Sequence, residues 1–123
     1  MRRFTNLALL ALAACAPDYA YLDVDPVSTP PVFVDITDAS ITLPAGIAVV
    51  VKASPRSGNS EDYDENNQLD LISQDRDVLT TFRRDDPRQF VLAGVFEGET
   101  CVEVRIDGDV KDCIPVLVEP PPS

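Results

Sequence analysis

Cys101-Val-Glu-Val-Arg-Ile-Asp-Gly-Asp-Val-Lys-Asp-Cys113 is the stretch from which the fold is read. Apolar residues alternate with polar ones on both sides of Asp107-Gly108, the pattern of two half-buried strands joined by a tight turn. Placing Cys101 directly opposite Cys113 sets Glu103 against Lys111 and Arg105 against Asp109 on the outer face. On the other face Val104 then meets Val110, and Val102 and Ile106 join the core. One register thus satisfies both faces. It leaves a three-residue loop, Ile106-Asp107-Gly108, whose final glycine suits a type I turn with a G1 bulge. The rival is a two-residue Asp107-Gly108 turn, which puts Cys101 beside Ile114. The directly opposed register is preferred.

Working outward, residues 32–118 alternate short apolar runs with turn signals. Val32–Ile36, Ile41–Leu43, Ile47–Ala53, Leu69–Ser73, Val78–Arg83, Gln89–Ala93, Thr100–Ile106 and Val110–Val118 read as strands. Ser54–Asn67, with Pro55, Gly58 and three asparagines, reads as a long loop. Apolar positions recur at two rather than at three and four, so no helix is expected. The expected fold is all-β, a sandwich of about seven antiparallel strands. Residues 15–31, with Pro17, Pro26, Pro30 and Pro31 among acids, read as a tether, although Tyr19, Tyr21 and Leu22 suit packing on the domain edge. Residues 119–123 read as a proline-rich tail.

Two further motifs carry family resemblances. Leu43-Pro-Ala-Gly46 before Ile47–Ala53 resembles the early strands of bacterial immunoglobulin-like domains. So does Phe90-Val-Leu-Ala-Gly94-Val-Phe-Glu-Gly98-Glu-Thr100 leading into Val102–Ile106. The resemblance covers residues 32–118 and implies an immunoglobulin-like sandwich with a role in adhesion, spacing or binding at a cell surface. It brings no catalytic residues. This sequence lacks the tryptophan that many members carry in a middle strand, so Leu71 or Ile72 must fill that core position.

Met1-Arg2-Arg3 followed by Leu7-Ala-Leu-Leu-Ala-Leu-Ala-Ala14 has the charged and apolar regions of a signal peptide. The apolar run is too short to span a bilayer. Leu12-Ala13-Ala14-Cys15 resembles the lipobox of bacterial lipoproteins. That resemblance implies cleavage before Cys15, acylation of its thiol, and an anchor of two or three chains in the membrane. Ala16, where an aspartate favours inner-membrane retention in enteric bacteria, points to the outer membrane. In the oxidising compartment this implies, the remaining pair Cys101 and Cys113 reads as a disulfide.

The full chain carries 10 basic and 21 acidic side chains, no histidine and no tryptophan. Removing residues 1–14 takes away Arg2 and Arg3 and no acid, which leaves 8 against 21 and a net charge of −13. Such a surface repels nucleic acid and anionic lipid heads alike, so only the acyl anchor holds it to a membrane. Without histidine and with both remaining cysteines bonded, the usual general base and thiol nucleophile are absent, and no enzymatic role is expected.

One stretch offers metal ligands. Asp62, Asp64, Asn66 and Asp70 place oxygens at alternate positions as the start of a Ca²⁺ loop does. The pattern then departs: Asn67 stands where glycine belongs and Ser73 where the bidentate acid belongs. The acids also suit a solvated loop, so no cofactor is required. Asp75 and Asp77, taken with Asp70, read as surface acids rather than a glycosidase pair, and Arg83–Arg88 as an exposed turn. The sequence describes a lipid-anchored envelope module that binds or spaces, its partner an envelope protein or glycan. A Ca²⁺-dependent adhesion or carbohydrate-binding module is the alternative.

Overall fold

The structure, a computed structural model, describes residues 16–28 and 32–122. Residues 1–14, read from the sequence as a signal peptide, and Cys15 lie outside the described residues. Among those described there are nine strands and no helix: β1 Tyr19–Pro26, β2 Asp35–Ile36, β3 Ile41–Pro44, β4 Ala48–Ser57, β5 Leu69–Ser73, β6 Leu79–Arg83, β7 Gln89–Gly94, β8 Gly98–Ile106 and β9 Asp109–Glu119. They form a four-stranded sheet in the order β1-β4-β7-β6 and a five-stranded sheet in the order β2-β3-β9-β8-β5.

Alternation along β4, β5, β7, β8 and the second half of β9 builds one core between the two sheets. Leu22, Val24, Val49, Val51, Ala53, Leu79, Phe90 and Leu92 come from the first sheet. Ile41, Leu43, Leu69, Leu71, Val102, Val104, Ile106, Ile114, Val116 and Val118 come from the second. Leu71 fills the middle-strand core position, whereas Ile72 points outward and is 38% exposed.

Three features differ from the sequence expectation. The pairing is not wholly antiparallel, because β3 runs parallel to β9, Ile41 to Val116 through Pro44 to Glu119. There are nine strands among the described residues rather than about seven. And the segment read as a tether contains β1, which pairs with β4 along its length. The reason lies in the spacing: Leu22 and Val24 alternate with Asp23 and Asp25, and both apolar side chains reach the core. Pro17 and Pro26 bracket this strand without interrupting it, as suits a sheet edge. Asp38 covers part of that edge, its Oδ1 accepting the Val24 N–H at 3.3 Å.

β4 also runs further than the sequence suggested, through Pro55 to Ser57. Odd-numbered residues of β4 turn their backbone groups toward β7, as the Ala53 N–H bonded to the Arg88 carbonyl shows. β7 pairs with β4 only as far as Lys52. Pro55 therefore lacks an N–H where there is no strand left to receive one.

The hairpin keeps its disulfide and changes its register. Cys101 and Cys113 are bonded, with Cα atoms 5.5 Å apart, but they sit diagonally: Cys101 is opposite Pro115 and Cys113 opposite Glu103. Glu103 does not face Lys111, nor Arg105 Asp109; Arg105 faces Val110, and its guanidinium reaches back along its own strand to Glu103 at 3.1 Å. The turn is the two-residue one. Asp107 and Gly108 have φ of 52° and 89°, the pair of positive values a type I′ turn needs and the one whose twist suits the strands. That turn alone would leave Cys113 facing the core. A bulge corrects this: Val104 pairs with Asp112 and Arg105 with Val110, so Lys111 is the extra residue. Cys113 is thereby turned outward and Ile114, Val116 and Val118 inward, while Val110, expected against Val104, is 57% exposed.

Candidate functional site

The long loop between β4 and β5, the tip of the β8–β9 hairpin, the β6–β7 turn and the first described residues all meet at one end of the sandwich. Polar side chains knit them. Within the loop, Asn59 Oδ1 accepts from Ser57 Oγ at 2.6 Å and from the Glu61 N–H at 3.0 Å. Asp64 Oδ1 accepts the Asn66 N–H at 2.8 Å, and Asn67 Oδ1 accepts the Asp64 N–H at 3.0 Å. These are the local turns that Asn and Asp make with nearby backbone.

Longer bonds hold the loop to its neighbours. Asp107, at the hairpin tip, accepts from Asn67 Nδ2 at 3.0 Å and from the Gln68 N–H at 2.8 Å. These bonds, with Arg88 and Lys111 nearby, hold its carboxyl below the usual carboxylate range. Arg88 donates to the Asp64 carbonyl. Asn59 Nδ2 donates to the Ala16 carbonyl at 3.0 Å, and the Gly58 N–H to the Asp18 carbonyl at 2.7 Å. Tyr19 donates its hydroxyl to Asp112 Oδ2 at 2.9 Å. Burial first, then this bond and the surrounding negative charge, push the Tyr19 phenol well above its ordinary range.

The four residues read as metal ligands are not brought to one centre. Asp62 is exposed in the loop, Asp64 and Asn66 are joined to each other by a turn bond, and Asp70 has already entered β5. There Asp70 pairs with Arg83 and accepts from Gln68 Nε2 at 3.2 Å. Among the described residues no group of three or more acidic, histidine or cysteine side chains is placed to hold a metal ion. Asp75 accepts the Asp77 N–H at 3.0 Å, an ordinary turn bond. Arg83 leaves its turn altogether: besides pairing with Asp70 it donates to the Leu69 carbonyl at 3.1 Å, and Thr81 Oγ1 donates to the Leu71 carbonyl at 2.7 Å. These two side chains of β6 cover carbonyls along the free edge of β5, which an unpaired strand would otherwise offer to another chain.

The contacts of Tyr19, Arg88 and Asp107 could not be named from the sequence. Each joins segments far apart in the chain, and nothing local marks the partner. The Asp-Gly dipeptide signalled a turn but not the loop that the aspartate holds.

The opposite end of the sandwich is of another kind. Val95 and Phe96, in the turn between β7 and β8, stand 48% and 66% exposed. Close behind them Gly94 passes over the β3–β4 turn with no room for a side chain, since a Cβ there would lie 2.5 Å from the Pro44 carbonyl oxygen.

No family model matches the chain, and no curated protein does. Solved structures do resemble it. Domains 4 and 5 of the S-layer protein SbsC superpose with a TM-score of 0.54 at 14% identity, over 77% of this chain and 54% of that one. A structure of SbsC domains 1–6 gives 0.59 at 13% identity over 88% of this chain and 14% of that one. One of domains 4–9 gives 0.56 at 12% identity, over 87% and 15%. At such identities the likeness is one of fold. The chain spans about half of the first of these proteins and a much smaller part of the other two.

Proposed function

We propose that this chain is a lipid-anchored immunoglobulin-like module of the bacterial cell envelope, with a structural or protein-binding role and no catalytic one. The observation that carries the reading is Leu12-Ala13-Ala14-Cys15 behind a basic start and an apolar run, directly before a folded sandwich. A signal and an acylated cysteine at that place deliver a domain to a membrane surface and keep it there. Ala16 favours the outer membrane. The strand order supports the immunoglobulin-like part: β1-β4-β7-β6 facing β9-β8-β5 follows the ABED and GFC sheets of that sandwich, with β3 added beside β9. Its fold is shared with domains of a surface-layer protein, which suits a module whose work is to bind and to space. The partner is an envelope protein or glycan rather than nucleic acid, which the acidic surface repels.

Replacing Cys15 with Ser tests the anchor. The wild-type protein is expected in the detergent phase, with its N-terminal peptide heavier by the acyl groups, and the variant in the aqueous phase. A C15S protein that stays membrane-bound with unchanged mobility would overturn the reading.

A further inference from the structure

We infer that the sandwich sits directly against the bilayer with no tether, its β4–β5 loop and hairpin tip facing the headgroups and its β7–β8 turn pointing away. The inference rests on acylation of Cys15 and adds an orientation to it. Cys15 is one peptide unit from Ala16, about 3.8 Å between Cα atoms. Ala16 is already part of the domain, since its carbonyl is held by Asn59 Nδ2 at 3.0 Å. Asp18 is held in turn by the Gly58 N–H at 2.7 Å, and from Tyr19 onward the chain is a strand of the sheet. Only Ala16, Pro17 and Asp18 stand between Cys15 and the sheet, too few to lift the domain off the surface. A lipid on Cys15 brings the end of the sandwich that carries Asn59, Glu61 and Asp107 to within about 10 Å of the headgroups, the reach of two or three residues.

The long axis then stands away from the membrane. β9 runs from the hairpin tip to the far end over 11 residues, which at roughly 3.4 Å per residue separates the two ends by about 35 Å. The apposed end carries Asp18, Glu61, Asp62, Asp64, Glu65 and Asp107. At about 8 Å, the screening length at physiological salt, these carboxylates feel the surface charge. Close seating is therefore expected on a zwitterionic surface and opposed on an anionic one.

The test uses the full lipidated protein in phosphatidylcholine vesicles doped with a headgroup-nitroxide lipid. One fluorophore is placed through Glu61→Cys and, in a separate protein, through Glu97→Cys; both positions are exposed. With Cys15 acylated and Cys101 bonded to Cys113, the new thiol is the free one. The expected result is severalfold stronger quenching at position 61 than at 97. A Gly/Ser insertion of about 20 residues between Ala16 and Pro17, reaching roughly 25 Å, should remove that difference. Equal quenching at the two positions in vesicle-bound protein overturns the orientation and leaves the anchor standing. Protein that fails to enter the vesicles, with no acyl mass on Cys15, overturns the anchor and the orientation with it.

Discussion

The two ends of the sandwich hold together by different physics. At the β7–β8 end the contacts are backbone on backbone: Gly46 N–H to the Gly94 carbonyl at 2.8 Å, Gly94 N–H to the Ile47 carbonyl at 3.0 Å, Ala45 N–H to the Glu119 carbonyl at 2.9 Å. At the hairpin-tip end backbone bonds such as Gly58 N–H to the Asp18 carbonyl at 2.7 Å and Asp107 N–H to the Gln68 carbonyl at 2.8 Å are outnumbered by bonds through exposed Asn, Asp and Arg side chains. A backbone contact at van der Waals distance has no way to yield. A side-chain bond in water is worth little net, because solvent replaces what is lost. The first end should therefore be intolerant of change and the second forgiving.

The largest effect belongs to the close-packed end. Gly94→Val sets a branched side chain where even a Cβ would lie 2.5 Å from backbone oxygen. The expected loss is about 3 kcal/mol, the upper end for overpacking, read as a shift in the urea midpoint. A neutral result would show that the β3–β4 turn can move and that the two ends do not differ as described. Next comes the bond between them: Cys101→Ser with Cys113→Ser should lower stability by about 2–3 kcal/mol, as expected for a loop of this length. Equal stability of the oxidised protein and the double variant would refute it.

Much of this was legible in the sequence, and the failures share a cause. The strands of β4, β5, β7 and β8 follow from short apolar runs between turn signals, the core face of β8 from period-two alternation, and the disulfide from counting cysteines. Val50, Ile72 and Val91, however, are as apolar as their buried neighbours and left the faces of β4, β5 and β7 open. The hairpin register did not follow, because Val110 shares its parity with Ile114, Val116 and Val118 and so looked like a core residue. The bulge at Lys111 breaks that parity, and no glycine or other turn residue marks it there. β1 was hidden in another way: its prolines and acids suggested an extended linker, but they also suit a sheet edge, and only tertiary pairing distinguishes the two. The acids of the β4–β5 loop had the spacing of a calcium loop, yet the entry into β5 at Leu69 carries Asp70 away from the others.

The forgiving end makes a smaller prediction, with a sign in pH. Asp107 is held below its ordinary pKa by bonds from Asn67 and Gln68. A depressed carboxyl contributes stability that is present above its unfolded value and is lost as pH falls through the folded one. Asp107→Asn keeps a side chain that accepts positive φ and removes the charge. At neutral pH it should cost about 1 kcal/mol or less, and the difference from wild type should shrink as pH drops below about 4. Melting curves at pH 7 and pH 3 measure it, and a gap that widens in acid would mean that the carboxylate is not what holds the loop.

The smallest effect is also the most discriminating. Deleting Lys111 removes the extra residue of the bulge and nothing else from the ladder. Val110 would still face Arg105, and Asp112, now its neighbour, would still face Val104. Cys113 would remain outward and bonded, Ile114 inward. A deletion inside a strand ordinarily turns every later side chain to the opposite face. Here the expected loss is below about 1 kcal/mol, in the range of surface changes, with the disulfide intact by mass. Under a directly opposed pairing of Cys101 with Cys113 the same deletion would drive Cys113 into the core and Ile114, Val116 and Val118 into solvent. The protein would then fail to fold. Thermal melting of the deletion variant therefore separates the two registers by the difference between a slight shift and a lost transition.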